Sequence, residues 1–138
     1  MLLRTCGNRD YRFVIAALTG GDEFAEKLRS LGATVYLLQK KHKFDLSVIK
    51  RISDTIEQEK VDICHFHNSS ASFWGIISLR LTGRRLPIAR TEHSPFSREM
   101  QPMYLRAIYP LILKNSDITV CVSERVRKTF SDRFPRFS

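Results

Sequence analysis

Val61-Asp62-Ile63-Cys64-His65-Phe66-His67 is a short apolar run that ends in imidazoles. Its length, its β-branched and aromatic content and the polar turn His67-Asn68-Ser69-Ser70 behind it read as a buried strand. A second stretch repeats the design: Pro87-Ile88-Ala89-Arg90-Thr91-Glu92-His93. Ligands of an open parallel sheet gather outside the carboxyl ends of its strands. Two such strands side by side would deliver His67 and His93 to one rim.

Working outward, three more strands are expected, Tyr11–Leu18, Thr34–Leu38 and Ile118–Val122. Helices fill the gaps. Asp22 is expected to cap Glu23–Leu31, which Gly32 ends, and Asp45 to cap a helix reaching about Glu59 with Ile49, Ile52 and Ile56 on one stripe. A third helix runs from about Ala71 to Leu81 and stops at Gly83. The fourth spans roughly Arg98–Lys114 with a kink near Pro110, and Ser123 caps a last helix, Glu124–Ser131. Asp132–Ser138 reads as an unstructured end. Strands alternate with helices and are continuous apolar runs. That pattern predicts an α/β fold: a Rossmann-like parallel sheet with helices on both faces, in one domain.

Composition narrows the classes. At 138 residues, 43% hydrophobic and 27% charged, the chain can bury a core. It has no apolar run of about 18 residues, and Met1–Cys6 does not make a signal peptide, so a cytoplasmic chain is expected. Cys6, Cys64 and Cys121 are odd in number and widely spaced, which argues against a disulfide framework. The net charge of +9 admits anionic partners. Its densest groups, Lys40-Lys41-His42-Lys43, Arg84-Arg85 and Arg125–Lys128, come without any nucleic-acid-binding motif. A phosphate-bearing ligand or an anionic membrane surface, met peripherally at the inner face, is favoured over nucleic acid. The amphipathic stretch Met100–Leu113 reads as core first and as interfacial contact second.

The rim residues admit several chemistries. His65 and His67 are two apart, so both point to one face of an extended strand. One could be a satisfied core histidine and the other a helix cap; with His93 they could offer three imidazoles to a metal; or they could bind ligand and move protons. Thr91-Glu92-His93 lies just ahead of the loop Ser94-Pro95-Phe96-Ser97, and Ser123-Glu124 also lies at that rim, where a helix cap would explain it equally. No phosphate-binding glycine loop, nucleophile elbow or Walker motif is present.

The ordered set Ala16-Ala17-Leu18-Thr19-Gly20-Gly21, Leu31-Gly32-Ala33-Thr34-Val35, Asp62-Ile63-Cys64-His65-Phe66-His67, Thr91-Glu92-His93 and Asp117-Ile118-Thr119-Val120-Cys121-Val122-Ser123 resembles the N-terminal domain of family 4 glycosyltransferases, over about residues 10–131. The resemblance implies one half of a two-domain GT-B fold, and retaining transfer of a sugar from a nucleotide-sugar donor to a glycan or lipid-linked acceptor. It implies no metal and no cofactor of this domain's own. His93 would lie at the reacting sugar, and His65, His67, Asn68, Thr91, Glu92 and Ser123 would line the acceptor cleft. Such domains begin with a strand and a Gly-Gly loop, and Met1–Arg9 reads as the tail of the helix behind that loop. The expectation is a domain truncated at both ends, inactive alone and needing a donor domain in trans. In the order 3-2-1-4-5-6 the absent strand is central. Tyr11–Leu18 and Val61–Phe66 are therefore expected to show unpaired edges or to pair with each other. A non-enzymatic module binding a sugar, a phosphate or a protein is the alternative.

Overall fold

The computed structural model describes residues 11–95 and 103–137. Cys6, the helix tail read at Met1–Arg9, the loop residues Phe96 and Ser97 and the first turn of the helix read at Arg98 lie outside them. The chain divides into two compact units, residues 1–60 and 61–138.

The first unit contains β1 (Val14–Ala17), α1 (Asp22–Arg29), β2 (Thr34–Leu37) and α2 (Ser47–Gln58). β1 and β2 pair in parallel, Val14 opposite Thr34 and Ala17 opposite Leu37. The short strands carry Ile15, Val35 and Leu37, which pack with Ala25, Leu28 and Ala33. Asp22 does not cap α1. Extended Gly21 takes that place, and Asp22 and Glu23 enter the first turn, where the positive end of the helix dipole favours carboxylates. Gly32 turns the chain out of α1 at φ 87°, a conformation open to glycine without a Cβ penalty. The N-cap of α2 is Leu46 and not Asp45; buried Asp45, one residue ahead of it, accepts the Ser47 N–H at 3.2 Å. The buried stripe of α2 is Val48, Ile52, Thr55 and Ile56, so Ile52 and Ile56 are buried as expected while Ile49 is half-buried and Val48 takes its place. Behind α2, buried Glu59 accepts from Arg12 and from the Tyr36 hydroxyl. Those two donors, the Tyr36 hydrogen bond foremost, hold its carboxyl below the usual range against the opposing pull of burial.

The second unit contains β3 (Cys64–His67), α3 (Asn68–Leu81), β4 (Ile88–Glu92), α4 (Met103–Lys114), β5 (Ile118–Cys121), α5 (Glu124–Arg133) and a final 3₁₀ turn, Pro135–Phe137. All pairings are parallel in the order β3-β4-β5, with Cys64 opposite Ile88, His67 opposite Thr91, Thr91 opposite Val120 and Glu92 opposite Cys121. The expected turn at Asn68–Ser70 is already the first turn of α3. Asn68 adopts φ 73°, which Asn tolerates better than other side-chain-bearing residues, and its Oδ1 accepts the Ala71 N–H at 3.0 Å. The end of the chain is also more ordered than expected. Phe134 stacks on Tyr109 with ring centroids 5.3 Å apart, and its burial carries α5 on to Arg133. Pro110 lies inside α4, flanked by buried Tyr109, Ile112 and Leu113, so this segment is core as first expected.

The parallel α/β fold read from the sequence is thus present, as two sheets. Among the described residues β1 and β3 each have one edge without a strand partner. No helix of the described residues is long and apolar enough to cross a membrane.

Candidate functional site

The site belongs to the second unit, and the strand alternation sorts its residues. Cys64, Phe66, Ile88, Arg90, Glu92 and Cys121 share the face that α3, α4 and α5 cover. His65, His67, Thr91, Ile118 and Val120 share the other, where Ile118 is 60% and Val120 46% exposed. His67 and His93 therefore reach one rim, at the carboxyl ends of adjacent parallel strands.

There His67 Nδ1 lies 3.0 Å from His93 Nε2, and His65 Nε2 lies 2.8 Å from Thr91 Oγ1. The rings of His65 and His67 are 4.4 Å apart at their centroids, those of His67 and His93 5.3 Å. Desolvation, with the neighbouring imidazoles behind it, holds His65 and His67 below the ordinary imidazole range.

The His67–His93 contact decides what the rim can do. A hydrogen bond between two imidazoles uses one proton, so one ring donates and the other accepts. If His67 donates from Nδ1, its Nε2 is an outward acceptor and His93 Nδ1–H an outward donor. The reverse tautomers exchange those roles. The pair thus offers one donor and one acceptor, and a proton taken up at one outer nitrogen can leave from the other. Among the described residues no three or more His, Cys, Asp or Glu side chains are grouped to hold a metal ion.

Folding disfavours the charged imidazoles, so the unfolded chain binds more protons in this range. The stability these groups contribute is present above an ordinary imidazole pKa of about 6.5 and lost as pH falls below it. We expect the urea midpoint of the second unit to fall between pH 7.5 and pH 5, and His67→Gln to flatten that dependence. An equally steep midpoint profile in the variant would refute the assignment.

The remaining sequence candidates separate. Thr91 is buried against His65. Asn68 is at the rim, its carbonyl oxygen used in capping. Ser123 caps α5, accepting the Val126 N–H at 3.3 Å. Glu92 is turned inward, only 5% exposed, because it falls on the covered face with Ile88 and Arg90. Its carboxylate accepts from Arg90 and from the Tyr109 hydroxyl. That hydroxyl in turn accepts from Arg90 Nη2 at 3.0 Å and from Ser69 Oγ at 3.2 Å. Burial pushes the Tyr109 phenol up, so it stays a donor, and pushes the Cys64 thiol up to about 11, so it stays an unreactive thiol.

Arg90 and Tyr109 were not among the sequence candidates. Their network ties the first turn of α3, just after His67, to the end of β4, just before His93. An arginine and a glutamate two apart on an otherwise apolar strand were its one sequence signal.

No curated protein sequence matches the chain. Among solved structures, it resembles the crystal structure of a protein from Listeria monocytogenes assigned as a UDP-N-acetylglucosamine 2-epimerase, at TM-score 0.62 and 14% identity. The match covers 95% of this chain and 36% of that one, so the chain spans about a third of that structure's length. At that identity the likeness establishes the Rossmann-like fold alone. The pattern that defines glycosyltransferase family 4 matches residues 1–136, nearly the whole sequence. The chain belongs to glycosyltransferase family 4.

Proposed function

We propose that the chain forms the acceptor side of a retaining glycosyltransferase that moves a sugar from a nucleotide-sugar donor to a glycan or lipid-linked acceptor. The observation that carries this reading is the 3.0 Å contact between His67 and His93 at one strand-end rim. His93 would meet the reacting sugar through Nδ1, the ring atom pointing away from His67. Its tautomer, set by His67, decides whether it donates to a sugar hydroxyl or accepts from one. His65, Thr91 and Asn68 would shape the acceptor cleft beside it, and Ser123 its wall. Glu92 would act from below, by holding the end of β4. The donor diphosphate and its departing charge would be held by a second domain, because orientation and charge stabilisation in the cleft need both sides.

The test combines the chain with a family 4 donor domain, a panel of radiolabelled nucleotide sugars and a membrane lipid extract. We expect label to reach acceptor only when both parts are present, and His93→Ala to lower transfer by about 10²–10⁴-fold, the usual weight of a positioned proton-transfer group. Transfer that survives His93→Ala undiminished would reject the role given to this rim. Saturable sugar binding by the chain, with no transfer in any combination, would favour a binding module instead.

A further inference from the structure

A cavity of about 580 Å³ opens at the amino ends of β4 and β5, the opposite end of the sheet from the histidine rim. Its floor is apolar, made by the buried side chains of Ile76, Leu79 and Ile88. Its wall is cationic, with Arg80, Arg84, Arg85 and Lys114 around it. Asp117 is the one carboxylate in the lining, and its Oδ2 already accepts the Ile88 N–H at 2.7 Å. Arg80 directs Nε and Nη2 to the Asn115 carbonyl oxygen, at 2.9 and 2.5 Å, so an uncharged amide and not an acid holds it.

A simpler account places these cations here to complement helix dipoles, since α3 and α4 both end at the cavity. That accounts for part of the charge. Each helix end presents about half an elementary negative charge. Two ends and Asp117 together offset about two positive charges. Even with Arg84 left aside, Arg80, Arg85 and Lys114 leave the cavity cationic, over a floor that can hold an apolar group.

We propose that this cavity binds a phosphate group carried on an apolar body. The guanidinium forks and the ammonium provide charge-assisted donors for phosphate oxygens, while Ile76, Leu79 and Ile88 take the apolar part. A membrane headgroup or a free organic phosphate would supply the same chemistry.

The test is a titration of the ¹⁵N-labelled 138-residue chain with octyl phosphate and, separately, inorganic phosphate. We expect saturable shifts at the Gly83 amide and the Asn115 side-chain amide, with octyl phosphate at least fivefold tighter. Arg85→Glu with Lys114→Glu should weaken binding at least tenfold, and Arg85→Gln with Lys114→Gln by less. Absence of saturable shifts at those amides, or unchanged affinity in the charge-reversed variant with unchanged circular dichroism, would overturn the proposal. Sedimentation with vesicles of phosphatidylglycerol in phosphatidylcholine separates the sources. Retention that the charge reversal abolishes assigns a membrane headgroup, whereas octyl phosphate binding without vesicle retention assigns a free ligand.

Discussion

Replacing Glu92 with alanine is expected to cost the second unit about 3–5 kcal/mol, the range for breaking a buried ion pair from one side. Arg90 is 0% exposed, and its Nε and Nη1 have no hydrogen-bond partner among the described residues. What compensates its charge is Glu92, the Tyr109 hydroxyl and the face of the Tyr109 ring, 5.0 Å from the guanidinium carbon. Without Glu92 that charge is buried and unpaired. Set against a typical total stability of about 5–15 kcal/mol, such a loss is a large fraction of what holds the unit folded. Removing both charges, Arg90→Met with Glu92→Leu, should cost far less, because the burial penalty on the two ions disappears with their attraction. Urea denaturation followed through Trp74, the single tryptophan and a buried residue of this unit, gives the measurement. A Glu92→Ala loss below about 1 kcal/mol, the level of an exposed pair, would mean the network is not what holds β4. The double variant has a second use. Kept stable but without the network, it should loosen the His67–His93 contact and lower transfer while leaving both histidines in place.

The second large effect is expected at Gly75. Alanine in place of glycine inside a helix ordinarily gains up to about 1 kcal/mol. Here the loss should prevail, by about 1–3 kcal/mol, the usual cost of overpacking. A Cβ on Gly75 would run into the Phe66 ring, so either the ring or the packing of α3 on β3 must shift. The half-buried ring lies on the helix-covered face of β3, opposite His65 and His67, so the displacement is felt first where α3 packs on the strand. Gly75→Ala, Phe66→Ala and the double variant form a cycle. A coupling near zero between these contacting positions would contradict the packing, whereas relief of the clash predicts about 1 kcal/mol or more.

Much of this was legible from residues alone. The runs Cys64–His67 and Ile88–Glu92 carry their strand signal in apolar content and their site signal in the imidazoles that end each stretch. Spacing placed His65 and His67 on one face. The order of pieces gave the family to which the chain belongs. What escaped was decided by partners far along the chain. Glu92 reads as a rim acid because acids are usually solvated, yet the same period-two rule that exposes His93 sends Glu92 inward. Nothing local says that Arg90 and Tyr109 wait there. The order of the last residues depends on Phe134 finding Tyr109, 25 positions back along the numbering. Asn68 looked like a turn residue, and its left-handed backbone is a turn's, but the helix begins on it.

The edges of β1 and β3 that have no partner among the described residues have a consequence for the chain as a solute. An unpaired strand edge is a hydrogen-bonding template open to any extended segment, including that of another molecule. Beside β3 stand Ile63 and, across the same sheet, Ile118, Val120 and Val122, all substantially exposed. Neither proline nor lysine guards the four residues of β3. The net charge of +9 therefore has a colloidal part to play apart from any ligand. Mutual repulsion between chains opposes edge-to-edge growth, and the Debye length of about 10 Å at 0.1 M salt sets how far that protection extends.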